Sequence, residues 1–339
     1  MRQMARMRRG AMTATLLTAA VTGSLMTGCT SGGGAIDDGR GRVPSPSPSP
    51  NPSPSRGQPQ GDTGTSTDSV GPVLAVKIDN VRAARPQTGL DAADLVYAEQ
   101  VEGGLSRLMA IYASKLPKVI GPVRSARESD LELLRQFDKP TLAFSGAQHK
   151  LLPLIDKAPL IAAPPEQHSD AYYRGNDKPS PHNLYLRPQE LVRSAPGADA
   201  LTTGFHFGAA PEGGTPETSR TVRFPSARFT FDWSASRHRW LVSMDGTPTV
   251  TTDGKKVAPA TVVVQYVKVH KSMFHDVLGN NSPYTDTVGS GTAKVLRDGQ
   301  VFDVNWKRPT ATDGTEFTTT DGTPMNFATG QVWVVLAKE

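Results

Sequence analysis

The single cysteine of this 339-residue chain, Cys29, follows a segment that has the three parts of a secretory signal. Four arginines and no acidic residue stand at the start, and an apolar run rich in small residues covers 11–26. That run is too short for a transmembrane helix. Because Leu25–Cys29 resembles a lipobox, we predict a signal peptide over residues 1–28 and lipidation of the Cys29 thiol.

The segment after Cys29 has the composition of a tether. A glycine run covers 32–34 and a Pro/Ser repeat covers 44–55, a sequence that favours extended polyproline II and cannot form a core. We predict a tether over residues 29–71. About 270 residues remain, which is enough to bury a core, and with no second cysteine that core must hold the fold without an intramolecular disulfide.

The charge of the mature chain is close to neutral. Subtracting the four signal arginines from the formal charge of +5 leaves about +1. We therefore expect no nucleic-acid partner. From the predicted lipidation we expect the protein to be anchored at the extracytoplasmic face of the bacterial cell membrane. The sequence does not decide whether export uses the general or the twin-arginine route.

The folded part is predicted to be α+β, with an N-terminal α/β-type mixed domain over 72–205 and a mainly antiparallel β domain over 218–339. In the first domain a helix over 130–137 is indicated by Ser129 as cap and Glu132 as the partner of a capping box. A second helix starts at Pro188. Strands are predicted at 73–78, 94–101, 107–113, 119–123 and 141–145.

The second region is rich in strand patterns separated by Asp-Gly pairs, which favour hairpin turns. Such pairs begin at Asp245, Asp253, Asp298, Asp313 and Asp321. The tryptophans of this region stand mostly at strand positions, so we expect core packing rather than a sugar-binding platform.

An arginine-rich loop offers the best candidate ligand site. Arg124, Ser125 and Arg127 precede the predicted helix, and guanidinium groups bind phosphate or carboxylate in bidentate fashion. Arg85, Arg107 and Asn183 complete the predicted ligand-binding set. The alternative, equally weighted, is that these arginines pair with glutamates and brace the fold.

Acid–base chemistry is the competing interpretation. Glu99 and Glu102 form a carboxylate pair if Glu102 lies in the glycine-rich turn, and His182 is a general-base candidate. His168-x-Asp170 is too common a pattern to predict a metal site, and we expect none. No phosphate-binding glycine motif is present, so no cofactor is expected.

A further set of motifs covers 84–90, 93–97, 101–104 with Arg107, 121–127, 181–185 and 288–291, with Asp298-Gly299 and Trp306. Together these motifs resemble the YerB-like lipoproteins, whose two domains are both of unknown function. The resemblance covers about 72–338, and it implies a lipoprotein with two extracytoplasmic domains but no particular reaction. This chain departs from the family pattern at Asn80 and Ser106, where the family usually shows a nearby histidine and a threonine.

We therefore expect a binding or scaffold lipoprotein of the cell envelope whose partner is a wall polymer, an anionic small molecule or an envelope protein. The alternatives are a hydrolase or transferase acting on a wall polymer, and a pure interaction module. One structural observation separates a site from bracing. Arg124, Arg127, Glu102 and His182 lining one open cleft indicate a site, and the same residues buried and mutually paired indicate bracing.

Overall fold

The structure is a computed structural model that describes residues 71–276 and 279–339. The predicted signal peptide, the predicted lipidation site Cys29 and the predicted tether up to residue 70 lie outside the described residues. The described residues belong to one compact unit, Thr65–Glu339.

Strands dominate the described residues, which contain only two short helices. The helices are α1 (Glu128–Leu134) and α2 (Leu152–Lys157). The strands of the N-terminal region are β1 (Leu74–Asp79), β2 (Leu95–Gln100), β3 (Ser106–Tyr112), β4 (Thr141–Ala143), β5 (Ile161–Ala163), β6 (Tyr172–Arg174) and β7 (Leu184–Leu186). The remaining strands are β8 (Thr215–Pro216), β9 (Ser219–Arg223), β10 (Arg228–Ser234), β11 (Arg239–Met244), β12 (Thr247–Pro248), β13 (Thr261–Val267), β14 (Val269–His275), β15 (Asn281–Thr285), β16 (Gly289–Arg297), β17 (Gln300–Arg308), β18 (Glu316–Thr319) and β19 (Val332–Lys338).

One eleven-stranded sheet joins strands from both regions of the sequence. Its order is β18-β17-β16-β13-β19-β2-β3-β1-β4-β5, with β8 paired to β17. The C-terminal region is not purely antiparallel, because β19 lies parallel to both β13 and β2. Its run Val332–Ala337 is buried on both faces, which is typical of parallel strands. A smaller sheet has the order β12-β11-β10-β9.

Alternating side chains of β1, β2 and β3 enter two different cores, because successive residues of a strand point to opposite faces. On one face, Val76 and Ala110 pack with the smaller sheet, where Phe229 and Phe231 lie about 6 Å from Trp333. On the other face, Ala75 and its neighbours pack under the two helices. The large sheet is therefore the middle layer of three.

Two predicted features of the C-terminal region are confirmed. Asp245-Gly246 and Asp298-Gly299 form two-residue turns between β11 and β12 and between β16 and β17, with positive φ at all four residues. Among the tryptophans, Trp240, Trp306 and Trp333 are buried in the core.

Three predicted elements need correction. Helix α1 begins at Glu128 with Arg127 as N-cap, and the Asp130 carboxylate accepts the Arg127 N–H at 2.7 Å, so Ser129 and Glu132 do not form the capping box. The predicted helix at Pro188 is a single 3₁₀ turn. Residues 119–123 form isolated bridges rather than a strand, because their partners Thr88, Ile78 and Leu186 come from different segments.

Candidate functional site

A row of charged side chains crosses three adjacent strands on the helix-covered face of the large sheet. Arg107 of β3 pairs in register with Asp79 of β1 on one side and with Glu99 of β2 on the other. Residues directly opposite one another share a face. The sheet therefore sets two carboxylates beside one guanidinium, at the end of the strands where the Glu102–Gly104 turn begins.

Two residues earlier on β1, Lys77 is completely buried. Its ammonium forms ion pairs with Glu99 and with Asp130 of α1, the latter at 2.6 Å. Burial lowers the pKa of Lys77 to about 8, against the opposing effect of Asp130. This cluster ties α1 to the sheet. Glu99, expected as an acid–base candidate, lies in it with 2% of its surface exposed and is not among the residues that line the adjacent cleft.

Glu102 and Arg127 form a second ion pair close to the first cluster. Glu102 begins a 3₁₀ turn, as required for it to approach the arginine loop. The Arg127 guanidinium donates two hydrogen bonds to the Glu102 carboxylate, at 2.6 and 2.7 Å, and Ser282 Oγ donates another. Burial raises the pKa of Glu102, but these hydrogen bonds outweigh burial and hold it below its usual value.

Asp79 joins two other predicted site residues. Its Oδ2 accepts a hydrogen bond from His182 Nδ1 at 2.8 Å and lies 3.3 Å from Arg124 Nε. Asp79 is 1% exposed, whereas Arg124 is 25% and His182 is 21% exposed. The buried carboxylate therefore orients an arginine and a histidine that both reach solvent.

Arg107, Arg124 and Arg127 line one cleft of about 580 Å³ together with Ser125. Arg107 donates one hydrogen bond, to the Ser125 carbonyl at 3.1 Å, and forms no ion pair with any described residue. Burial, followed by the charge of Arg127, lowers the pKa of Arg107 to about 9. The cleft also contains carboxylates, which are Asp79, Glu102 and Asp276.

The opposite wall of the cleft comes from the C-terminal region. The hairpin of β14 and β15 contributes His275, Asn280 and Ser282 to the lining. The hairpin is fixed to α1, because Ser272 donates to Glu128 and Tyr284 donates to Glu132. Sequence reasoning missed this wall, because residues 144 and 152 positions apart along the chain give no local signal of contact.

Two of the predicted ligand-binding residues lie outside the cleft. Arg85 is engaged by Asp245 at 2.9 Å and by the Asn80 carbonyl at 2.6 Å, so it braces the Arg82–Ala84 turn against β11. Asn183 bonds Arg174 and the Gly175 carbonyl within the β6–β7 hairpin. Ser125 lines the cleft, with its hydroxyl 3.5 Å from that of Ser145.

No group of three or more His, Cys, Asp or Glu side chains in the described ranges is arranged to hold a metal ion. Within the same ranges, no helix is long and apolar enough to cross a membrane.

Comparison with known proteins places the chain in a family. Two family models match, the N-terminal domain of a protein of unknown function (DUF3048) over residues 61–201 and its C-terminal domain over residues 220–334. YerB of Bacillus subtilis (strain 168), named as a candidate lipoprotein, is 24% identical over 277 residues, which cover 77% of this chain and 80% of YerB.

The fold is also similar to a solved structure. The crystal structure of the YerB protein from Bacillus subtilis matches with a TM-score of 0.65 at 22% identity, covering 78% of this chain and 90% of that chain. This likeness extends across both regions of the sequence and concerns the fold alone. By its sequence and its two matched domains, the chain belongs to the YerB-like lipoprotein family.

Proposed function

We propose that this protein is a lipoprotein anchored at the extracytoplasmic face of the cell membrane, and that its arginine-lined cleft binds an anionic ligand. The location is supported by the signal pattern that ends at Cys29 and by the name of the Bacillus relative. A fatty-acid label should appear on the wild-type chain and be absent from Cys29→Ala, which should leave the membrane fraction. Labelling of the Ala variant would contradict the anchor.

The observation that carries the binding proposal is the state of Arg107. Its guanidinium is partly buried and makes one hydrogen bond, to a neutral carbonyl. The charges around it are mixed, with Arg127 and Arg124 positive and Glu102 and Asp79 negative. A guanidinium has five N–H donors and remains charged in proteins. An anion in the cleft would accept hydrogen bonds from the unused donors.

Neighbouring groups fit the same ligand. The Nε of Arg124 pairs with the Asp79 carboxylate, and the Arg124 side chain is one-quarter exposed. Ser125 supplies a hydroxyl at the same wall of the cleft. Two guanidinium groups beside one hydroxyl are suited to phosphate or carboxylate oxygens, which guanidinium binds in bidentate fashion. Arg127 is already paired with Glu102, so its role is to brace the wall.

The experiment is a thermal-shift titration of the purified full chain with inorganic phosphate, pyrophosphate and citrate. A ligand at about 100 times its Kd stabilises the folded state by about 2.7 kcal/mol. For a domain of this size, each kcal/mol of stabilisation raises Tm by roughly 2–4 °C. We expect a shift with at least one of these anions.

The variants decide where the anion binds. Arg124→Ala should lose the shift, and the matched control Arg193→Ala, which removes an exposed arginine outside the cleft, should retain it. Equal loss in both variants would indicate general charge screening and contradict the proposal, as would the absence of any shift with the wild type.

A second candidate function rests on the Asp79–His182 hydrogen bond. A carboxylate that holds one imidazole nitrogen fixes the tautomer and leaves the other nitrogen to act as a general base. Here His182 Nδ1 faces Asp79, so Nε2 would act on a wall polymer. Glu99 forms an ion pair with Lys77, and Glu102 forms one with Arg127. His182 is therefore the remaining acid–base candidate. Release of wall fragments by the wild type but not by His182→Gln would support a hydrolase, and no release by either would exclude it.

A further inference from the structure

A second basic cavity adjoins the cleft. It has a volume of about 540 Å³ and lies between the Arg82–Ala84 turn and the turn that joins β9 to β10. Val81, Leu105 and Ser106 line both this cavity and the cleft. The two cavities are therefore neighbours that meet along a shared wall.

The second cavity has its own set of unpaired cations. Arg82, Arg223 and Arg228 line it, and all three are exposed. None of them forms an ion pair with a residue in the described part of the chain, and the one lining carboxylate, Asp245, is already paired with Arg85 at 2.9 Å. An uncompensated cluster of this kind attracts negative charge.

A tight contact between two turns holds the second cavity beside the cleft. The Ser226 N–H donates to the Gly104 carbonyl at 2.8 Å. Gly104 has φ +69, and a Cβ there would lie 2.5 Å from Pro225 Cβ. Gly104, which follows the cleft residues Glu102 and Gly103, is thus in direct contact with the β9–β10 turn. The geometry of both cavities depends on that close approach.

We propose that the two cavities form one groove for a linear polyanion, with Arg107 and Arg124 at one end and Arg82, Arg223 and Arg228 at the other. This inference rests on the proposed anion binding of the cleft and extends it, since it assigns a second subsite and a polymeric ligand class. The shared chemistry is a chain that bears an anionic group on successive units. Such a chain contacts both subsites at once.

A polymer fits these observations better than two separate small anions. The subsites share Val81, Leu105 and Ser106, and Leu105 is 38% exposed, so uncharged parts of a chain would pass over an apolar side chain between two basic ends. Once one end of a chain is bound, the other end is present at a high effective concentration. A longer ligand should therefore bind more tightly than the same number of separate anionic groups.

The test compares pyrophosphate with long-chain inorganic polyphosphate in calorimetric titrations of the full chain, with concentration expressed per phosphate. The wild type should bind polyphosphate at least about tenfold more tightly than pyrophosphate. Arg223→Ala/Arg228→Ala should lose that gain and bind pyrophosphate as the wild type does. The matched control Arg237→Ala, in the exposed turn between β10 and β11, should keep the gain.

Each outcome has a distinct meaning. Equal affinity for short and long phosphates, or a gain that survives in the double variant, overturns the groove while leaving anion binding in the cleft intact. A gain lost equally in Arg237→Ala also overturns the groove, because it shows only general attraction. Failure of pyrophosphate to bind, together with no thermal shift from phosphate or citrate, refutes the cleft itself. A parallel titration with poly(glutamic acid) assigns the source: the same arginine-dependent gain means that carboxylate chains are accepted, and no gain restricts the groove to phosphate chains.

Discussion

Lys77 and Arg107 are cations on the same face of neighbouring strands, yet their surroundings differ completely. Lys77 is fully buried and is compensated by two carboxylates, Glu99 and Asp130. Arg107 faces a cleft and has no ion pair with any residue that the structure describes. The Lys77 cluster holds the fold together, whereas we propose that Arg107 binds an anionic ligand.

The difference shows that charge alone does not identify a binding site. Breaking a buried ion pair leaves its partners uncompensated in a poorly solvating interior, which is costly. A cation beside a cleft that is open to solvent keeps part of its solvation and can exchange that solvent for an anion. The Arg127–Glu102 pair is intermediate, because both residues line the cleft but each charge is compensated by the other.

The largest effect is expected at the closed cluster. Lys77→Met removes the ammonium and leaves Glu99 and Asp130 buried without their cation, so the free energy of unfolding should fall by about 3–5 kcal/mol. Urea unfolding measures it. Adding Glu99→Gln to Lys77→Met should recover part of the loss. A loss under about 1 kcal/mol would remove the distinction between the two clusters.

The next effect is expected where the two turns touch. Gly104→Ala should destabilise the protein by about 2–3 kcal/mol, because the new Cβ meets Pro225 and the backbone has positive φ. Gly103→Ala is the matched control: it has a similar φ of +67, but its nearest atom is Leu105 Cγ at 4.0 Å. Gly103→Ala should cost roughly 1 kcal/mol. Equal costs would show that the contact with Pro225 does not matter.

The smallest effect is expected at the intermediate pair, and it depends on pH. The hydrogen bonds from Arg127 and Ser282 outweigh burial and lower the pKa of Glu102, so its carboxylate stabilises the fold above the unfolded-state pKa near 4.5. That contribution is lost as pH falls through the lower folded-state value. The free energies of unfolding of the wild type and of Glu102→Gln should differ at pH 7 and become equal in acid. A difference that is constant with pH would contradict this role.

Much of the fold follows from local patterns in the sequence. The apolar run before Asp79 and the Asp-Gly pairs are local signals, and they marked β1 and two hairpins correctly. The parallel position of β19 was missed, although its unbroken apolar run is typical of a strand buried on both faces. Its partners lie far away in the sequence, so the run does not identify them.

The candidate site was predictable only in part. Arg107 and Arg124 were named from sequence, and the structure brings them to one cleft. Arg85 looked equivalent, but its partner Asp245 lies 160 positions away and no local rule pairs them. Lys77 did give a signal: a lysine within an apolar strand requires a buried carboxylate.

The measurement that tests the central claim most directly is the position of a heavy tetrahedral anion in a crystal. Crystals of the protein soaked in tungstate should show anomalous density in the cleft, within hydrogen-bonding distance of Arg107 and Arg124, and none beside Lys77. Density that avoids the cleft at saturating tungstate, with ions only at other surface cations, would contradict the proposal that Arg107 and Arg124 bind an anion.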